Sequence, residues 1–173
     1  MATVYHPTIP GYAPLYIQTA TDSSAVDILI TYGVVVKNHS FPITRKPKEP
    51  YKNTWFDEHG DDEYIGDKMY VEAFTFTEKC VMITKENDSA SARQKLANQI
   101  RTFQDYLLKG EFMIFDDYTK TGFRKVRVSD FPTPSNEDYD VCNGKARVIF
   151  DVTFKVNDPE TRMKMSAGKI VEA

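Results

Sequence analysis

The plainest pattern in this chain lies towards its C-terminal end. Ala146, Val148, Phe150, Val152, Phe154 and Val156 alternate with Arg147, Ile149, Asp151, Thr153, Lys155 and Asn157. A period of two sends successive side chains to opposite faces, so this segment reads as a strand with one face in a core. Asp158–Pro159 reads as its end, and the polar stretch 159–173 as a mobile tail. A different period runs from Ser89 to Lys109. Leu96, Ile100, Phe103 and Leu107 are spaced 4, 3 and 4 apart, which at ~100° per residue makes one apolar stripe and predicts a helix over about 89–109. Asp88, Ser89 and Ser91 suit its N-cap, and Gly110 suits its stop.

Shorter patterns fill the rest. Asp27 to Lys37 is rich in β-branched residues and reads as a strand, or a strand pair, kinked at Gly33. In Lys68 to Thr84, Tyr70, Phe74, Phe76, Cys80 and Met82 share one alternation phase. Glu72 and Glu78 interrupt it, which predicts a change of facing partway along. Glu111–Phe115 and Phe123–Val128 read as a hairpin joined by the turn-rich 116–122. Strands, one helix, a hairpin and a long strand, with no βαβ alternation, predict a mainly β (α+β) fold. The expected architecture is an antiparallel β-sandwich or split barrel with one packed helix.

Two segments fit no such element. Residues 1–26 carry Pro7, Pro10 and Pro14 among Tyr5, Tyr12, Leu15, Tyr16 and Ile17. Proline excludes helix there, so this is an extended arm, lying either along its own domain (27–158) or on a neighbour. The loop 39–67 is long for a compact domain, which points to a dedicated role. It holds a basic run, Arg45, Lys46 and Lys48, then an acidic run, Asp57, Glu58, Asp61, Asp62 and Glu63, with Tyr51, Trp55 and Phe56 between them. One interface joining a plus patch to a minus patch accounts for both runs. The aromatics are either anchors of that interface or caps on a core edge.

Composition narrows the classes. The chain has 173 residues, 22 Lys and Arg against 25 Asp and Glu, and a net charge of −3. Such a balance gives no general drive towards nucleic acid, and no sequence-specific nucleic-acid recognition is expected. No run approaches the ~18 apolar residues of a membrane helix, and the first twenty residues do not read as a signal peptide. The expectation is a soluble chain folded in the cytosol, off the membrane. Cys80 and Cys142 are expected as two buried thiols.

A search for chemistry finds little. Glycines stand singly, with no phosphate-cradling pattern, and no Ser sits in a nucleophile elbow. His6, His39 and His59 lack partners at metal-ligand spacing and read as solvated loop residues. Asp116–Asp117 suits a hairpin turn better than acid–base work. Lys120, Arg124, Lys125 and Arg127 form a second basic cluster. No catalytic, cofactor-binding or metal-binding residue is assigned, no cofactor is expected, and the chain does not read as an enzyme.

The order of patterns resembles the distal tail (baseplate hub) proteins of tailed phages and prophages. The matching stretches begin with Tyr32–Val36, then Pro47–Asn53 and Glu58-His59-Gly60. They continue through the strand Tyr70–Met82, the helix with Leu96, Ile100, Phe103 and Leu107, and Lys109–Phe112. They close with the strand Gly144–Asn157 and Asn157-Asp158-Pro159. The resemblance covers roughly Asp27 to Thr161. It implies a structural subunit, related to tail-tube proteins, that forms a homo-oligomeric, hexameric ring at the distal end of the tail tube. The implied partners are copies of itself and tube, tape-measure or tail-tip proteins. The implied location is the host cytoplasm during assembly and then the virion tail. The arm before Asp27 is longer than the resemblance leads one to expect, and no C-terminal carbohydrate-binding module follows, so receptor binding is not expected. Candidate interface residues are Tyr5, Tyr12, Tyr16, Arg45, Lys46, Lys48, Tyr51, Trp55, Phe56, Asp57, Glu58, Asp61 and Asp62. Alternatives are another tail or connector subunit (tube, terminator), a β-barrel module for a small ligand or carbohydrate, or an enzyme with a loop-assembled carboxylate site.

Overall fold

The computed structural model of the chain describes residues 9–54 and 62–173. Its strands are β1 (Leu15–Thr19), β2 (Val26–Asp27), β3 (Val34–Asn38), β4 (Tyr51–Asn53), β5 (Asp62–Tyr64) and β6 (Phe74–Lys85), followed by β7 (Phe112–Asp116), β8 (Thr121–Asp130), β9 (Tyr139–Cys142), β10 (Lys145–Ser166) and β11 (Lys169–Glu172). The helices are α1 (Ile28–Tyr32) and α2 (Ser89–Leu107). One antiparallel sheet runs in the order β2-β1-β7-β8-β10-β6-β3, with β9 and β11 also paired to β10. The hairpin β4-β5 stands apart from it. The fold is thus mostly antiparallel β, as the patterns predicted, with a single long helix.

The helix forms where its stripe placed it. Asp88 caps it, its carboxylate accepting from Ala90 N and Ser91 N at 2.9 Å. Leu96, Phe103 and Leu107 are buried together with Val148, Phe150 and Val152 of β10 in one core. The Phe103 and Phe150 rings meet edge-on with centroids 6.4 Å apart.

Several expectations are corrected. The stretch Asp27–Lys37 is not a kinked strand, because Ile28–Tyr32 is a short helix. Asp27 accepts from Leu29 N and Ile30 N, and Gly33, at φ +72°, donates its N–H to Leu29 O. A cap at each end and burial of Ile28 and Leu29 outweigh the β-propensity of these residues.

Strand β6 does not change facing. Phe76, Glu78, Cys80, Met82 and Thr84 are all buried in one phase, so Glu78 enters the core rather than breaking the pattern. Of the two placements open to the extended arm, residues 15–19 take the one along their own domain: β1 pairs along its length with β7 and Ile17 is fully buried. The stretch 159–173 is no loose tail: β10 continues to Ser166 and folds back as β11. Pro159 does not stop it because the register against β8 slips between Asp158 and Arg162. A bulge leaves the missing N–H without a ladder to break. Within the bulge, Asp158 accepts from Thr161 N and from Arg124 Nε. Cys80 is buried, but Cys142 is exposed on β9.

Candidate functional site

Between β3 and β6 the chain leaves the sheet and returns some thirty-five residues later, and the residues at its exit are firmly held. His39 Nδ1 lies 2.8 Å from Asp116 Oδ1, and its ring stacks on Tyr118 with centroids 4.8 Å apart. Ser40 N donates to Glu78 Oε2 at 3.2 Å. Phe41 is buried between Phe76 and Phe123, with centroids at 5.0 and 5.4 Å. Arg162, lying over the Phe123 ring, donates to Ile43 O. Groups from β6, β7, β8 and β10 therefore fix one short segment. The sequence reading of His39 as a solvated loop residue is corrected, because its partner Asp116 is 0% exposed.

Asp116 fills the turn role expected of it and more. Its carboxylate accepts from Tyr118 N, Thr119 N and Thr119 Oγ1 as well as facing His39. Glu78, 1% exposed, has its carboxyl pushed up to about 7 by burial; the Ser40 N–H opposes this and the Asp116 charge adds to it. These groups anchor the start of the excursion to the sheet.

Beyond the anchor the two legs of the excursion pair with each other. Lys48 N donates to Tyr70 O at 2.7 Å, and Glu72 N to Lys46 O at 3.0 Å. The Lys46 and Glu72 side chains form an ion pair at 3.0 Å. Further out, β4 and β5 place Tyr51 directly opposite Tyr64. A Lys68–Glu160 ion pair braces the returning leg on β10. The result is an ordered two-legged arm.

The arm presents apolar groups outward. Tyr51 is 74% and Tyr64 76% exposed, and Ile43, Ile65, Met69 and Tyr70 are exposed beside them. The legs enclose a shallow hollow of ~260 Å³ between Lys48–Tyr51 and Tyr64–Tyr70. Large apolar side chains are thus gathered on one projection together with charged ones, a composition that contact surfaces share.

Of the sequence-predicted interface residues, Arg45, Lys46, Lys48 and Tyr51 lie exposed on this arm. Asp62 begins β5. Tyr5, Trp55, Phe56, Asp57, Glu58 and Asp61 fall outside the described residues, as do His6 and His59. Tyr12 and Tyr16 lie against their own domain. Tyr12 Oη accepts from Val36 N at 3.1 Å and so covers an otherwise open edge of β3, and burial pushes its phenol up to about 12. Tyr16 packs on the small cluster of Phe115, Met163 and Ile170. Tyr64 and Ile65 went unassigned in the sequence because they lie in the polar loop without period, and Tyr70, read there as part of the β6 alternation, is instead exposed on the arm with Met69.

The second basic cluster does not form one patch. Arg124 pairs with Asp158 at 2.6 Å and with Glu172 at 3.3 Å, and Lys120 pairs with Asp117. Two further hollows flank α2. One, of ~550 Å³, lies towards α1 and is lined by Tyr32, Lys95, Gln99 and Thr102 among others. The other, of ~310 Å³, lies between α2 and β9. Among the described residues, no helix is long and apolar enough to cross a membrane, and no three His, Cys, Asp or Glu side chains are grouped to hold a metal.

No model of a known protein family matches the chain, and no curated protein matches it.

Proposed function

We propose that this chain is a structural subunit of a phage or prophage tail. In this reading, copies of it close into a ring, of six subunits, at the distal end of the tail tube. The observation that carries the reading is the arm. An excursion from the sheet, fixed at its root by groups from four strands, carries an outward Tyr51–Tyr64 pair. Exposed tyrosines on a rigid support are typical anchors of protein interfaces. A projection that meets a different surface on the next copy makes a head-to-tail contact, and such contacts generate rings when the rotation closes.

The rest of the molecule supports assembly through such a projection. Tyr12 covers the β3 edge, so simple strand addition at that edge is disfavoured. The antiparallel sheet with one flanking helix agrees with the architecture that the sequence resemblance implies. Tube, tape-measure or tail-tip proteins would then be the neighbours above and below the ring.

The test is self-association of the purified chain, with and without Tyr51→Ser and Tyr64→Ser. A ring-shaped oligomer that the double substitution dissociates supports the reading. A second reading, a module for a small ligand or carbohydrate, rests on the ~550 Å³ hollow beside Tyr32. Saturable binding of sugars there by a chain that never self-associates would favour it.

A further inference from the structure

The arm leaves the sheet across two buried acids. Glu78 of β6 and Asp116 at the end of β7 are both shut off from water. Segment 39–41 lies over them. His39 Nδ1 meets Asp116 Oδ1, and Ser40 N donates to Glu78 Oε2. Phe41 sets its ring between Phe76, the neighbour of Glu78 on the buried face of β6, and Phe123. These three residues form a cover, and Glu78 is the acid beneath it.

Donors are shared out unequally between the two acids. Asp116 faces Tyr118 N, Thr119 N, Thr119 Oγ1 and the His39 ring. Among the described residues Glu78 is reached by one donor, Ser40 N, at 3.2 Å. Neither acid is paired with a Lys or Arg among those residues. The other titratable groups of the cluster are Tyr12, whose ring centroid lies 6.4 Å from that of His39, Tyr118, stacked on His39, and the Cys80 thiol two residues along β6. Of these groups only the His39 ring can become a cation. The flanking strands offer no charge here: β10 sets Val152 opposite Glu78, and β3 sets Val36 opposite Cys80.

A second negative charge under the cover would therefore meet one amide, where water supplies several donors. Lifting segment 39–41 admits that water. With the cover down, burial holds the Glu78 carboxyl at about 7, against an ordinary 4.5, so the closed root binds the proton more tightly than the open one. The preference for closure is complete below about pH 4.5 and is lost as pH rises through about 7.

We infer that segment 39–41 is a proton-controlled latch: neutral Glu78 keeps it shut, and ionised Glu78 releases it and the arm that it roots. Release is local. Leu96, Phe103 and Leu107 keep their packing on β10, and the domain stays folded. The inference stands on these root contacts and holds whether or not copies of the chain assemble.

The test is amide hydrogen exchange of the full chain, read by mass spectrometry between pH 5.5 and 7.5. Rates are referred at each pH to those of an unstructured peptide. Opening of segment 39–48 is expected to rise by at least about tenfold over that range, and to exceed opening of Leu96–Leu107 at every pH. Glu78→Gln keeps an acceptor for Ser40 N without the charge, and is expected to abolish the rise. His39→Gln is expected to retain it. A rise that survives in Glu78→Gln, or that vanishes in His39→Gln, overturns the inference. So does an unaltered chain in which segment 39–48 opens no more at pH 7.5 than at 5.5, or opens only as often as the helix.

Discussion

His39 Nδ1 and Asp116 Oδ1 stand 2.8 Å apart across 77 residues of sequence, and they tie the start of the arm to the end of β7. Asp116 is fully buried and holds four hydrogen-bonding groups at once. Asp116→Ala would leave the Tyr118 and Thr119 donors and the His39 ring without their acceptor. The expected cost is about 3 kcal/mol of folding stability, the scale of a broken buried polar network. Urea unfolding of the single variant checks it. The same variant should self-associate less well, because the root no longer fixes the arm.

Glu78 gives the protein a pH dependence whose sign follows from its surroundings. Burial raises its folded-state value from 4.5 to about 7, so the folded chain binds this proton more tightly than the unfolded chain. The stability linked to that proton is complete below pH 4.5 and is lost as pH rises through 7. A rise from 4.5 to about 7 sets the loss at up to about 3 kcal/mol. Glu78→Gln should flatten the unfolding free energy between pH 4.5 and 7, and should be more stable than the parent above pH 7. Chemical denaturation at half-unit pH steps reads both effects.

Tyr51 and Tyr64 should matter for assembly and hardly at all for folding. Both are exposed and stand opposite each other across the hairpin. Tyr51→Ser with Tyr64→Ser is expected to change unfolding free energy by no more than about 0.5 kcal/mol. Self-association should nevertheless be lost. Thermal unfolding and light scattering on the same preparation separate the two effects.

Gly144 links the helix to the long strand and so sets the groove beside it. At φ +73° an added Cβ would lie 2.3 Å from Glu86 O. The Gly144 N–H donates to Ser89 Oγ at the helix start, and its carbonyl accepts from Glu86 N. Gly144→Ala must move backbone that has no room to yield, at an expected cost of about 2 kcal/mol or more. A fall in urea midpoint that exceeds that of Ala at the open Gly168, also at positive φ, would separate the close approach from the φ effect alone.

The periodic elements were legible in the sequence and the exceptions were physical. The stripe Leu96–Leu107 and the alternation Ala146–Val156 became α2 and the centre of β10, because each buries one face over many residues. Three misreadings share a cause. Ile28–Tyr32 looks like strand by composition, yet a cap at Asp27 and a stop at Gly33 make it helix. Glu78 looks like an outward residue, yet the arm's own backbone N–H reaches it in the core. Pro159 looks like a terminator, yet a register slip accommodates it. Each turns on one contact to residues distant in the chain or on one local cap, which hydrophobic period does not carry. The arm itself was legible as a long loop with paired charge runs and Tyr51. Its tyrosine partner Tyr64, and the anchoring of His39 to Asp116, depend on pairing across the chain and could not be read from order alone.

The most direct test of the account is the solution mass of the unaltered chain. At 19.8 kDa per copy, a closed ring of six is expected near about 119 kDa. Light scattering at rising concentration should reach that mass and hold there, and negative-stain images of the species should show a ring with a central opening. A chain that remains at the mass of one copy at every concentration would contradict the account.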